Sequence, residues 1–198
     1  MSWDEDQDLE AEWWGDCANT FGEELKQTVY ADRMGLIAQN IDGHWPVYDL
    51  EGKSVLDIGG GPASLLLKTI NNGPLFIADP CPYPQWVSDR YIAAGILYAK
   101  VPGEDLFGEF DFTFDEVWIY NVLQHTQDPE LILKNALSLG ERVRILEWID
   151  IPPHPGHPHE LTQEMLDAAL GVQGTVEEFH GEYGMSGRGY YVYTTREK

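Results

Sequence analysis

Four polar positions, each set at the end of an apolar run, carry the chemistry this chain can be read for. Asp57 lies in Val55-Leu56-Asp57-Ile58 and is followed by Gly59-Gly60-Gly61. Asp79-Pro80 ends a second run, Glu104-Asp105 follows a third after Pro102-Gly103, and Asn121-Val122 follows a fourth. Glycines lack the Cβ atoms that would keep a ligand away from the backbone. A strand, a tight turn and a helix start is the geometry in which main-chain groups meet a nucleotide-like ligand. A carboxylate two residues before the first glycine repels a pyrophosphate, and it suits a cation such as an amino-acid ammonium.

Histidines form the second group of candidates. His125 has the side-chain type for removing a proton near neutrality, with packing in a cofactor shell as the competing reading. His154-Pro155-Gly156-His157-Pro158-His159-Glu160 presents ligand-type residues at short spacing. Prolines stiffen that segment against folding around one ion, so no metal is assigned and a substrate-binding or gating loop is expected. His154 and His157 join His125 as candidate bases, and His159 joins Trp14 and Tyr30 as candidate substrate contacts. Trp13, Trp14, Tyr30 and Met34 stand at helical spacing, which also describes ordinary core.

A chain of 198 residues with 43% hydrophobic content suits one domain with a substantial core. Its formal charge of −22, with only 12 Lys and Arg, disfavours nucleic acid and fits solubility or attraction of a cationic substrate. No apolar stretch approaches the ~18 residues of a membrane span. The acidic start Met1-Ser2-Trp3-Asp4 has no signal-peptide character. Cys17 and Cys81 make no disulfide framework, and the expected location is the cytoplasm. Monomer and homodimer are left open.

Apolar periodicity supplies the elements that must position these groups. Residues 1–12 read as a frayed polar start. Glu12 to Gln39 reads as helix, divided at Asn19-Thr20 or Gly22, and His44-Trp45-Pro46 as a turn. Strands are expected at Ser54–Ile58, Leu75–Ala78, Ile96–Val101, Glu116–Tyr120 and Arg142–Trp148. Helices are expected at Ala63–Asn71, Trp86–Ala94, Pro129–Leu139 and Thr162–Leu170. Two last strands near Thr175–His180 and Gly189–Thr194 close the chain as an antiparallel hairpin. This predicts an α/β fold: a doubly wound, mostly parallel seven-stranded sheet with an antiparallel C-terminal hairpin and an N-terminal helical lid. Residues 1–46 are expected to be the lid region and residues 47–198 the Rossmann-like domain.

With Val55-Leu56-Asp57-Ile58-Gly59-Gly60-Gly61 at its head, this order resembles the class I methyltransferases that depend on S-adenosyl-L-methionine (SAM), from about Gly52 to the C-terminus. The family's first motif, an acidic residue, any residue, Gly, any residue, Gly, fits at Asp57, Gly59 and Gly61, with Ala63 where many members have another Gly. Asn121-Val122-Leu123-Gln124-His125 followed by Asp128-Pro129 resembles the corresponding segment of small-molecule members.

The resemblance implies SAM as cofactor, held by Asp57, Gly59, Gly60, Gly61, Asn121 and Val122. Asp79 and Pro80 would serve the ribose, and Glu104 or Asp105, with Asp105 favoured, the adenine. The implied reaction is SN2 methyl transfer to an oxygen or nitrogen of a small molecule. Other uses of SAM, namely cleavage, aminopropyl transfer or binding without turnover in a regulatory module, are the alternatives. The Asn/Asp-Pro-Pro-Tyr/Phe tetrapeptide of DNA-amino methylation is not found, since Asn121 is followed by Val122-Leu123.

Overall fold

Short apolar runs, buried at nearly every position, build one sheet covered on both faces. In a computed structural model, which describes residues 3–39, 45–108 and 110–195, its strands are β1 (Val55–Ile58), β2 (Leu75–Ala78), β3 (Ile96–Ala99), β4 (Phe114–Tyr120), β5 (Gly140–Ile149), β6 (Thr175–His180) and β7 (Ser186–Thr195). Their spatial order is β3-β2-β1-β4-β5-β7-β6. The first five strands run parallel, and β7 pairs antiparallel with both β5 and β6. The order reverses between β1 and β4, so a crevice opens beyond the carboxyl ends of those strands.

Helices cover both faces. These are α1 (Trp3–Trp14), α2 (Phe21–Arg33), α3 (Gln85–Ala93), α4 (Pro129–Leu139) and α5 (Gln163–Leu170). Leu56, Ile58, Val117, Ile119 and Ile145 pack toward α4 and α5. Val55, Trp118, Tyr120, Leu146 and Trp148 pack on the other face with residues of α2 and α3. On that face Glu116 holds Arg144 through bonds of 2.6 and 3.0 Å and accepts the Trp118 indole N–H at 2.9 Å. Two charges are buried there with their hydrogen-bonding capacity used, which is the condition for tolerating them.

Local capping sets two helix starts. The Asp128 carboxylate accepts from Leu131 N–H at 3.0 Å, with Pro129 opening α4. Thr162 Oγ1 accepts from Met165 N–H at 3.2 Å, and Gly171 ends α5 at φ +70°.

Three expectations are corrected. Residues 3–14 form α1 rather than a frayed start, and the long N-terminal helix is divided by Gly15 (φ +53°) and Cys17 (φ +57°) before α2 begins at Phe21. No helix follows β1. A single 3₁₀ turn at Leu65–Lys68 gives way to the strand Thr69–Ile70, which pairs in parallel with Val47–Asp49 in a small sheet completed by Ala38–Gln39. The β-branched pair Thr69-Ile70 favours extended backbone. The face left bare is covered by Tyr30 and Ala31 of α2 and by Met34, which caps it. That helix is fastened far along the chain, where Arg33 Nε and Nη2 donate to Glu177 of β6 at 2.7 and 2.8 Å.

The expected turn at His44-Trp45-Pro46 begins outside the described residues. Cys17 and Cys81 are free and buried. Among the described residues no helix is long and apolar enough to cross a membrane.

Candidate active site

Buried side chains fix the glycine loop from below. Asp57 is completely buried, and its Oδ2 accepts from Ser64 Oγ–H at 2.5 Å and from Tyr120 O–H at 2.7 Å. The Tyr120 hydroxyl in turn accepts Leu65 N–H at 3.0 Å, and Ser64 Oγ accepts Leu66 N–H at 3.0 Å. Tyr91 of α3 bridges the loop, donating to Gly61 O at 2.6 Å and accepting from Ser64 N–H at 2.9 Å. Burial drives the Asp57 carboxyl up to about 7 against the lowering pull of its two hydroxyl partners. Its second oxygen, Oδ1, is buried without a partner. Asp57 therefore stands behind the loop and holds it.

Close approach explains the glycines. A Cβ on Gly59, which sits at φ +72°, would lie 2.5 Å from Val122 Cγ1. One on Gly60 would lie 2.8 Å from Asp57 Oδ2. Gly61 faces the crevice, and its N–H is held by Asp79 Oδ2 at 2.8 Å. The other Asp79 oxygen accepts Cys81 N–H at 2.9 Å. Burial raises the Asp79 carboxyl to about 6, opposed by those two N–H bonds.

Beyond β4, Asn121 takes a left-handed φ of +59° that turns the chain into the crevice. Glu147, buried on β5, receives the next two amides: Val122 N–H at 3.0 Å and Leu123 N–H at 3.2 Å. Burial pushes its carboxyl up to about 8, against the lowering effect of those amides. Sequence reasoning missed Glu147. The signal was a lone acid inside the apolar run Ile145-Leu146-Glu147-Trp148-Ile149.

The crevice contains about 860 Å³ of empty space, counting its open mouth. Gly59, Gly60, Gly61, Asp79, Pro80, Glu104, Asn121 and Val122 all line it, and Trp14 of α1 and Tyr30 of α2 wall it from the helical side. Three anticipated contacts line neither cleft: Asp57, buried behind the loop, Asp105 and His159. Asp105 is exposed on a 3₁₀ turn whose inward positions are Gly103 and Leu106, and it lines no cleft. Glu104 does line the cleft, with its carboxylate on the amides of Gln127 and Asp128 at 2.8 and 3.1 Å. His159 lines neither cleft, because its Nε2 is turned to Gln127 O at 3.1 Å.

A second cleft adjoins the first through Glu10, Trp14, Glu23, Asn121 and His125. The three candidate histidines meet along it, His157 ringed by His125 at 4.3 Å and His154 at 4.2 Å between centroids. Burial, then the neighbouring rings, push His157 down to about 4, so it stays neutral. His125 Nδ1–H donates to Gly156 O at 2.8 Å, which in the neutral ring leaves the lone pair on Nε2. Asp6 of α1, itself buried, accepts Gly156 N–H at 2.9 Å. One turn later Glu10 Oε2 lies 3.5 Å from His125 Nδ1, while its Oε1 accepts the Trp14 indole N–H at 2.7 Å. Sequence reasoning also missed Asp6 and Glu10, because their partners lie over a hundred residues away. Among the described residues no cluster of His, Cys, Asp or Glu is arranged to hold a metal.

No protein-family model and no curated protein matches this sequence. Solved structures do resemble it. Magnesium protoporphyrin IX methyltransferase ChlM from Synechocystis PCC 6803, solved with bound SAM, superposes at a TM-score of 0.61 with 14% identity over 97% of each chain. The N-methyltransferase NodS from Bradyrhizobium japonicum WM9, solved with S-adenosyl-L-homocysteine (SAH), gives 0.57 and 14% over 74% of this chain and 79% of its own. The [4+2]-cyclase SpnF gives 0.54 and 14% over 77% and 57%. With the strand order and the crevice described above, these likenesses identify the architecture as the class I SAM-dependent methyltransferase fold.

Proposed function

We propose that this protein is a SAM-dependent methyltransferase acting on an oxygen or nitrogen of a small molecule. One observation carries the reading. Among the described residues, the first cleft is lined by four carboxylates, Glu10, Glu23, Asp79 and Glu104, and by no lysine or arginine. Such a wall repels a pyrophosphate and suits a ligand that carries a sulfonium and an ammonium. A glycine loop that lines the cleft, with open space above Gly61, fits the same ligand.

In this reading Asp79 takes the ribose hydroxyls, having accepting capacity beyond its two amide bonds. The adenine side passes from Asp105 to Glu104. The glycine loop, with Asp57 behind it, receives the amino-acid end. Bound SAM would supply an electrophilic methyl group. The chain's own residues align the acceptor, keep water out and receive its proton. Residues 1–46 act as a lid, with Trp14 and Tyr30 closing the cleft. His125 Nε2, at the junction of the clefts, is the base. The net charge supports a small-molecule partner over nucleic acid. The buried free thiols of Cys17 and Cys81 suit a reducing compartment such as the cytoplasm.

A cyclase on the same fold favours keeping one second reading, SAM-dependent architecture used for other chemistry. Calorimetry with SAM and SAH tests the binding claim: micromolar affinity is expected for the wild type, with a loss of at least tenfold in Asp79→Ala. Mass spectrometry of turnover tests the chemistry. Formation of SAH supports methyl transfer, and methylthioadenosine or the absence of any product overturns it.

A further inference from the structure

The second cleft is wider than the first, with about 1350 Å³ of empty space including its mouth, against about 860 Å³. Its walls are aromatic. Trp13, Trp14 and Trp148 line it, and Trp13 is 76% exposed at the rim, where no core packing accounts for it. Its charges are uneven. Lys26 is ion-paired with Glu23, which leaves Glu10 as the carboxylate with no cation against it, held by the Trp14 indole and facing His125. One buried group asks for a donor. Gln124 is 3% exposed, its amide nitrogen donates to Asn121 Oδ1 at 3.0 Å and makes a long contact of 3.4 Å to His125 Nε2, and its Oε1 has no partner.

Resting on the methyltransferase reading, we propose that this second cleft is the acceptor chamber and that it takes a flat aromatic ring carrying an alkylamine. Tryptophan faces give such a molecule area and cation–π attraction. Glu10 offers the counter-charge, and the vacant Gln124 oxygen accepts an N–H that an ether, ester or carboxylate could not supply. An ammonium docked there gives one proton to His125 Nε2 and keeps the electron pair on nitrogen. The new N–C bond forms as the donor's C–S bond breaks, with that bond's electrons staying on sulfur. The product leaves as a methylated ammonium.

Calorimetry on the SAH-loaded protein tests this with two probes of similar shape and opposite charge, tryptamine and indole-3-propionate. Tryptamine is expected to bind at least tenfold tighter. Glu10→Gln is expected to cut that preference at least fivefold, and Trp13→Ala, a change at an exposed site, to weaken both probes. Equal binding, or preference for the acid, with SAH still bound overturns the acceptor proposal alone. Failure of SAH to bind the wild type overturns the methyltransferase reading beneath it.

Discussion

The two walls of the crevice are built in opposite ways. On the glycine-loop side, every turn of the backbone rests on a buried side chain: Asp57 on Ser64 and Tyr120, Tyr91 on Gly61 and Ser64, Glu147 on Val122 and Leu123. On the histidine side, α1 and the loop around Gly156 meet through a few bonds at the rim, Asp6 to Gly156 and Glu10 to His125. Groups without water compete for nothing but each other, so the first wall is rigid. The second is held by fewer bonds. For the methyl transfer proposed above, such a division suits a fixed donor and an acceptor that has to enter and leave.

The contrast can be broken most forcefully at Asp57. Asp57→Ala strands the Ser64 and Tyr120 hydroxyls in a dry interior, and a loss of about 3 kcal/mol in urea unfolding is expected. SAM binding should vanish with it. A variant of wild-type stability would mean that the loop does not depend on its buried carboxyl. Next comes Gly59→Ala, whose methyl collides with Val122. About 2 kcal/mol of destabilisation is expected, with SAH affinity falling more than tenfold by calorimetry.

Glu147 makes the comparison pH-dependent. Its carboxyl rises from 4.5 to about 8 on folding, so the folded protein holds a proton that the unfolded chain has released. The stability this contributes is complete below pH 4.5 and is lost as pH climbs through about 8. Glu147→Gln keeps the amide-accepting oxygen and cannot lose a proton. Relative to wild type it should gain up to about 1.4 kcal/mol per pH unit across that window, measured by unfolding at stepped pH. A flat difference would show that Glu147 is ionised throughout.

The smallest effect belongs to the looser wall. Asp6→Ala should cost about 1 kcal/mol, confined to α1. Hydrogen exchange there should quicken about fivefold while the amides of β1 and β4 keep their protection. Uniform acceleration across the sheet would erase the distinction between the walls.

What could be read in advance follows the range of the interactions. Pro129–Leu139 was legible to the residue because its start is written locally, in the Asp128 cap and Pro129. The glycine loop was legible because its requirement is steric and resides in Gly59 and Gly60 themselves. The segment after β1 misled. Leu65-Leu66-Leu67-Lys68 has helical composition, yet Thr69-Ile70 finds a partner strand at Val47–Asp49 that no local pattern announces. The acidic α1 was hidden for the same reason, since its two anchors are Gly156 and His125. Asp57 was expected to face the ligand, and it lies instead behind the loop, where it is held by Tyr120, a residue of another strand.

Covering the sheet with α2 has a consequence for how the polypeptide is made. The helix α2 can finish docking only after β6 has been made, because Arg33 must wait for Glu177, 144 residues further along. Until β6 is in place, the apolar surface destined for Tyr30 and Met34 stays open to chaperones. Removing β6 would therefore harm an element that lies far from it in the chain.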